Sequence, residues 1–411
     1  MLHYATFVFL IVFSTLLVGA NKIVVSPSGE YKTVKKAIET AQPGDTVWVE
    51  NGTYPEYEIT VDKPVTIIGE ELAIIDAQKR GYIFNITADS VSIIGLTLNN
   101  VGVSFTKDYA AIHTHNVSNF WFEGITFNNP FFAFHIERST NGTIKNNIIN
   151  GNAVLEHDSG NGIHLWHSSN IEILSNKIFQ MRDGIYFEFV KHSKVIGNES
   201  KRNVRYGLHF MFSNDDEYKN NVFENNGAGV AVMFSKKIFM RNNTFQLNWG
   251  SASYGLLLKE IYDADIRENE FVQNTIGINA EGSNRVSLEK NNFMNNGWAI
   301  KFLGGCYGNK FIENNFMHNS FDVSYHGNIN GNLFDKNYWS EYVGYDLDKD
   351  GIGDVPFRPV KLFSYVVNQT PETIVLLRSL FVDLINFSEK VSPVFTPDNL
   401  RDNHPLMRPV K

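Results

Sequence analysis

From Ala111 onward the chain repeats a small residue followed by an apolar one: Ala111-Ile112, Ala133-Phe134, Gly162-Ile163, Gly184-Ile185, Gly207-Leu208, Gly229-Val230, Gly255-Leu256, Gly277-Ile278 and Ala299-Ile300. The steps are 22, 29, 22, 23, 22, 26, 22 and 22 residues. A second register, Asn-x-apolar, falls at Asn146, Asn176, Asn198, Asn221, Asn243, Asn269, Asn291, Asn314 and Asn337, with one break at Ser200. Within a repeat the polarity alternates. In Gly207-Leu-His-Phe-Met211, Leu208 and Phe210 face one way and His209 and Met211 the other, the period of a strand.

Short strands in coils of this length, with Asn and Gly at the corners, predict an all-β fold. The expectation is a right-handed parallel β-helix over 61–340, each coil burying its inward apolar residues against its neighbours. Asn suits the corners because it tolerates left-handed backbone and its amide can bond the Asn one coil above. A leucine-rich repeat has a similar period, but its leucine spacing is missing and no helix-period segment recurs.

The flanks differ in pattern. Residues 1–20 read as a signal peptide, an apolar run from Ala5 to Val18 ending in Val18-Gly19-Ala20, a small-residue cleavage pattern. The preceding MLHY has no Lys or Arg, so an uncleaved anchor is the alternative. Residues 21–60 read as an N-terminal cap, with a short helix within Tyr31–Ala41 and a first strand after Pro43-Gly44-Asp45.

Beyond an Asp-rich loop and linker at 341–370, the segment 371–411 reads as a C-terminal helical extension and an extended tail. Thr373 to Val391 is apolar enough to predict a helix. It is short for a membrane span, and Arg378 and Asp383 interrupt it. Too apolar for a solvated surface helix, it either covers the β-helix end or docks on a membrane partner. The tail, with Pro393, Pro397, Pro405 and Pro409, predicts no regular structure and reads as an interaction arm, with His404 and Met407 as further soft-metal ligands.

A net charge of −8 without a clustered basic stripe excludes a generic nucleic-acid binder. Export brings no disulfide framework, because Cys306 is the one cysteine; stability must come from packing.

In a parallel stack, equivalent positions on successive coils lie about 4.8 Å apart, so a column of the repeat is a row on the surface. Two residues after the register position the row runs His113, His135, His164, Tyr186, His209, Ala231, Leu257, Asn279, Lys301. Four after, it runs His115, Glu137, Trp166, Glu188, Met211, Met233, Lys259, Glu281, Leu303. Imidazole and thioether are the donors that suit copper, and Met favours Cu(I). His209, Met211 and Met233 form the tightest such group; His113, His115, His135 and His164 form an imidazole-rich one.

A carbohydrate-binding or carbohydrate-cleaving β-helix is the alternative. Glu137 and Glu188 fall two coils apart, about 9.6 Å, at the edge of the range for an inverting pair. Trp166 stands between them, however, and the row has no Arg to hold an acidic sugar.

Asp346, Asp348, Asp350 and Asp354 fall at positions 1, 3, 5 and 9 of a loop with Gly351 at 6, the oxygen-ligand spacing of a Ca²⁺ loop. Position 12 is Phe357, so the bidentate ligand is missing. A metal-free turn closing the β-helix is the other reading.

The segments Gly207-Leu-His-Phe-Met-Phe-Ser213, Gly227-Ala-Gly-Val-Ala-Val-Met233, Tyr254-Gly-Leu-Leu-Leu-Lys259, Gly344-Tyr-Asp-Leu-Asp-Lys-Asp-Gly-Ile-Gly-Asp354, Leu377-Arg-Ser-Leu-Phe-Val-Asp383 and Pro405-Leu-Met-Arg408 together resemble NosD. That family comprises exported copper-handling proteins that assist maturation of nitrous oxide reductase. The resemblance implies a non-enzymatic periplasmic subunit held at the inner membrane by an ABC transporter permease and its ATPase. It also implies that Cu(I) arrives from a periplasmic copper chaperone and passes to nitrous oxide reductase. Arg378, Leu380, Phe381, Asp383, His404 and Met407 would then lie in the docking segment. A purely structural adaptor that gates the transporter is a third reading.

Overall fold

The computed structural model describes residues 20–104, 106–327, 331–391 and 400–411. The expected signal peptide, apart from Ala20, lies outside the described residues, as does 392–399 of the tail. The chain winds as a parallel solenoid in which successive coils supply strands to three sheets of 14, 12 and 13 strands. This is the all-β fold that the repeat predicts.

Alternation decides the interior. Leu208 and Phe210 are fully buried, as their place in the strand requires. Because the coils repeat in register, like residues stack: Phe223, Phe245, Phe271, Phe293, Phe316 and Trp339 form a column with ring centroids 4.1–5.5 Å apart. That spacing is the inter-strand distance expressed by aromatic rings.

The corner asparagines form a buried ladder. Asn147, Asn176, Asn198, Asn221, Asn243, Asn269, Asn291, Asn314 and Asn337 each donate Nδ2 to the next Oδ1 at 2.9–3.1 Å, and Asn337 donates to Asp402 at 3.0 Å. The register expected at Asn146 belongs to Asn147. Nor do the ladder asparagines take the left-handed backbone. The residue before each does, as at Asn146 (φ 55°), Asn220 (φ 56°) and Lys336 (φ 54°), turning the chain so that the following amide points inward.

The stack starts earlier than residue 61. Lys22–Val25 pairs with Thr46–Val49, and that strand with Thr66–Gly69, so much of the expected cap is already ladder. Helix α1, Val34–Thr40, covers the open end with Val34, Ala37 and Ile38. Its first amides, on Val34 and Lys35, donate to the Glu56 carboxylate at 2.7 and 2.9 Å.

The other end departs further from expectation. Helix α2, Leu362–Gln369, arises in the expected linker and packs Phe363 and Val367 against Phe321 of the last His-row strand. The single helix expected over 373–391 is instead a 3-10 turn, Pro371–Leu376, followed by α3, Leu380–Val391. Ser379 separates them, its Oγ accepting from the Val382 amide at 3.4 Å.

The tail is not a free arm. Leu400 is buried, Asp402 exchanges backbone hydrogen bonds with Phe357, and the Leu406 amide donates to Asn337. Asp402 Oδ2 also accepts from the Asn337 amide and from Trp339 Nε1, both at 3.0 Å. The residues 400–411 thus close the apolar core.

Candidate functional site

The second sheet, from Ile59–Val61 to Phe321–His326, carries the histidines. Its pairing is the register read from the sequence: Asn85, His113, His135, His164, Tyr186, His209 and Ala231 are successive Cα partners. His115, Glu137, Trp166, Glu188, Met211 and Met233 form the parallel row.

The rings of the first row touch in sequence. Centroid distances run 5.0 Å for Tyr82–His113, then 5.3, 4.8, 4.7 and 5.0 Å through His135, His164 and Tyr186 to His209.

The row was expected as an exposed face, and its middle is not. His135 and His209 are 9% and 6% exposed. Two long steps in the repeat supply the cover. The 29-residue step holds Glu156 and Asn161, and the 26-residue step holds Tyr254. Arg205 pins the first of these, its Nη1 2.9 Å from Glu156 and its Nε 2.9 Å from Asp183. Arg182 donates to Asn161 at 3.2 Å, and Tyr206 lays its ring 4.8 Å from His209.

Burial sets the chemistry. It lowers His113 to about 4, with the His135 ring adding to the effect. It also lowers His135, and lowers His164 well below the ordinary imidazole value. These rings are therefore neutral at neutral pH, the ligating form. His135 Nδ1, His164 Nε2 and both nitrogens of His209 are buried with no hydrogen-bond partner. Each such atom costs about 1–3 kcal/mol.

Asp183, fully buried, lies 3.8 Å from His209 Nδ1. Burial would raise its pKa, but His209 and Arg205 hold it below the usual carboxylate value. Tyr186 Oη sits 3.9 Å from Met211 Sδ and 3.5 Å from Glu188 Oε2.

Sequence reasoning missed Asp183, Arg205 and Tyr206 as site residues. Asp183 and Tyr206 begin the strands Asp183–Glu188 and Tyr206–Met211, just ahead of the register pair, and the long steps were the signal that loops crossed this face. Glu137 is occupied by the imidazoles, with His115 Nδ1 at 3.2 Å and His113 Nε2 at 3.7 Å. It faces Glu188 across Trp166, as expected.

Among the described residues, the group that brings three His, Cys or carboxylate donors within 4.8 Å of one another is Asp346, Asp348 and Asp350. Their carboxylates already accept from the loop's own amides: Asp350 and Gly351 donate to Asp346 at 3.2 and 3.0 Å, and Leu347 donates to Asp354 at 2.8 Å. Cys306 is buried away from the row and donates weakly to the Ala280 carbonyl at 3.6 Å.

The expected docking residues separate into two places. Arg378, Leu380, Phe381 and Asp383 are exposed at and around the start of α3. Val382 is buried, whereas Leu380, Phe381, Leu384, Phe387 and Val391 are 57–74% exposed. His404 is bound into the closing tail, 2.6 Å from Asp335, and the Met407 amide donates to Gly351. Among the described residues no helix is long and apolar enough to cross a membrane.

The chain matches two families: one described as periplasmic copper-binding protein (NosD) over residues 145–345, and one described as protein of unknown function (DUF1565) over 18–244. A probable ABC transporter binding protein NosD from Stutzerimonas stutzeri is 27% identical, over 93% of this chain and 92% of that one. Its namesake from Pseudomonas aeruginosa is also 27% identical, over 85% of each. Among solved structures, PfbA, a surface adhesin of Streptococcus pneumoniae, aligns at TM-score 0.52 and 14% identity, over 74% of this chain and 86% of that one. That likeness speaks to the fold alone.

Proposed function

We propose, from the premise that the chain belongs to the DUF1565 family and is related to NosD along most of its length, that it is a non-enzymatic periplasmic accessory protein handling Cu(I). In this reading it serves maturation of the copper centre of nitrous oxide reductase. Copper arrives from a periplasmic copper chaperone and is held on the His and Met rows. An ABC transporter, permease with ATPase, is the membrane partner, met by the exposed apolar side of α3. The observation that carries the reading is the set of four unpartnered buried imidazole nitrogens on His135, His164 and His209. On the His209 strand and the next lie the thioethers of Met211 and Met233, paired across one step of the stack.

The donor set fits the ion. Thioether and neutral imidazole are soft to borderline ligands that select Cu(I) over Mg²⁺ or Ca²⁺. The covering loops keep water from the rings, and a bound ion would satisfy nitrogens that otherwise lack partners. Asp183 and Arg205 position His209 and the overlying loop. His113, His115, His135 and His164 form the imidazole end of the rows; His209, Met211 and Met233 form the sulfur end.

Anaerobic Cu(I) titration against a competing chelator tests this. The protein should bind Cu(I), and the His209→Ala, Met211→Ala, Met233→Ala triple variant should lose at least tenfold in affinity. No binding, or equal affinity in the variant, overturns the reading.

A further inference from the structure

We propose that the first coils of this face carry a second metal site, in which His113, His115 and Glu137 bind a divalent ion of the zinc class. The site stands about 19 Å, or four strand steps, from the row position of His209, and it contains no sulfur. It draws His113 and His115 from the imidazole end of the rows, but it rests on the contacts around Glu137 and not on the copper reading.

The geometry around His113 points to a cation. Asn85 Oδ1 lies 2.9 Å from His113 Nδ1; in the neutral tautomer that donates this hydrogen bond, Nε2 is a bare lone pair. That nitrogen faces Glu137 Oε2 at 3.7 Å. In that tautomer neither atom has a hydrogen to give, and two acceptors aimed at one another repel. A positive ion between them converts the repulsion to attraction. His115, directly beside Glu137 in the register, brings Nδ1 to 3.2 Å of the same oxygen.

Distances agree with shared coordination. Tetrahedral zinc at about 2.0–2.1 Å from N and O donors separates its ligand atoms by about 3.4 Å. The observed 3.2 and 3.7 Å bracket that value. The two imidazoles themselves have not converged to ligand spacing, since this trio does not bring all its donors within 4.8 Å. His115 is 46% exposed and has the freedom to turn its ring inward.

The chemistry sets the ion class. Two imidazoles and one carboxylate form the borderline donor set of open zinc sites, with a fourth position left for water or a partner's side chain. Asn85 holds the tautomer and plane of His113, the usual task of an outer partner to a metal-ligating histidine.

The test is isothermal titration of the metal-free protein with Zn²⁺, with Co²⁺ absorption as a spectroscopic report of nitrogen and oxygen ligation. One equivalent should bind. Glu137→Gln and His115→Ala should each weaken it at least tenfold, and Asn85→Ala about 10–100-fold, with urea midpoints unchanged for Glu137→Gln. Met211→Ala should leave Zn²⁺ affinity unaltered. No Zn²⁺ binding, wild-type affinity in both Glu137→Gln and His115→Ala, or loss of the ion on Asp350→Asn instead, each overturns the proposal. Cu(I) titration of the same proteins separates the two claims. Zn²⁺ binding without Cu(I) binding sinks the copper reading alone, and Cu(I) binding without Zn²⁺ sinks this one alone.

Discussion

Replacing His113 by Phe should flatten the acid side of the stability profile. The ring keeps its place between Tyr82 and His135, and the titrating group is gone. In the wild type, burial takes His113 from 6.5 to about 4. The unfolded chain therefore binds its proton first as pH falls, and stability drops through the window between those values. Above about pH 6.5 the group costs nothing; below about pH 4 its full penalty is present. The linkage relation gives a loss of about 1.4 kcal/mol at pH 5.5 and about 2.5 kcal/mol at pH 4.5 from this residue. The ring is 15% exposed, which makes these upper values. His135 and His164, lowered for the same reason, add losses of the same sign. Carboxylates held low, such as Glu137, surrender their contribution only below about pH 4.5, so the window is separable. Urea unfolding at pH 7.5, 6.5, 5.5 and 4.5 measures it, provided the slope with denaturant stays constant. His113→Phe should lose less stability than the wild type, by about 1 kcal/mol or more at pH 5.5. Parallel losses in the two proteins would refute the argument that this ring is buried neutral.

Two further outcomes follow from the C-terminal end. Asp402→Ala leaves the amide and Nδ2 of Asn337 and the indole of Trp339 without their acceptor. At about 1–3 kcal/mol per buried donor, partly offset by water reaching the solenoid end, the cost should be about 3 kcal/mol. Coils contact only their neighbours, so hydrogen exchange should accelerate at Leu333–Trp339 and remain unchanged in the coils near His113; uniform acceleration, or none, contradicts the closing role. Leu384→Asp with Phe387→Asp, both on the exposed side of α3, should abolish co-purification with the ABC transporter proposed as membrane partner while leaving the unfolding free energy within about 0.5 kcal/mol of wild type. Retained co-purification removes α3 as the docking surface.

The rows were legible in the sequence because parallel coils in register convert a period into adjacency. Every outward pair from His113–His135 to Met211–Met233 followed from counting. Burial was not legible. It depends on where the loops of the long steps travel, and a loop has no period to count. Asn146 and Asn147 could not be told apart for a related reason. Two adjacent asparagines satisfy the same composition, and the left-handed backbone at Asn146 decides which amide turns inward. The tail's prolines correctly excluded regular structure but carried no sign of its destination. Asp402 has meaning only once the Asn ladder is seen to need a terminal acceptor.

The first row changes character halfway along. From His113 to His209 it holds rings, several with bare nitrogens under a cover held by Arg205. From Ala231 on it holds Leu257, Asn279 and Lys301, residues with no donor chemistry in common. The same strand geometry serves both halves, so the fold does not demand histidine. Leucine or alanine at His135, His164 and His209 would remove unpartnered nitrogens that cost about 1–3 kcal/mol each and would still pack under the same loops. Stability alone therefore favours the composition of the second half. The first half concentrates that cost in four imidazole nitrogens between His135 and His209, where the second half has single oxygens at Asn279 and Ser324, and a bound soft ion would offset it. That concentration of imidazole, ending at the strand that carries His209 and Met211, separates a binding row from a merely polar face, because solvent exposure would ask for neither buried imidazole nor paired thioether.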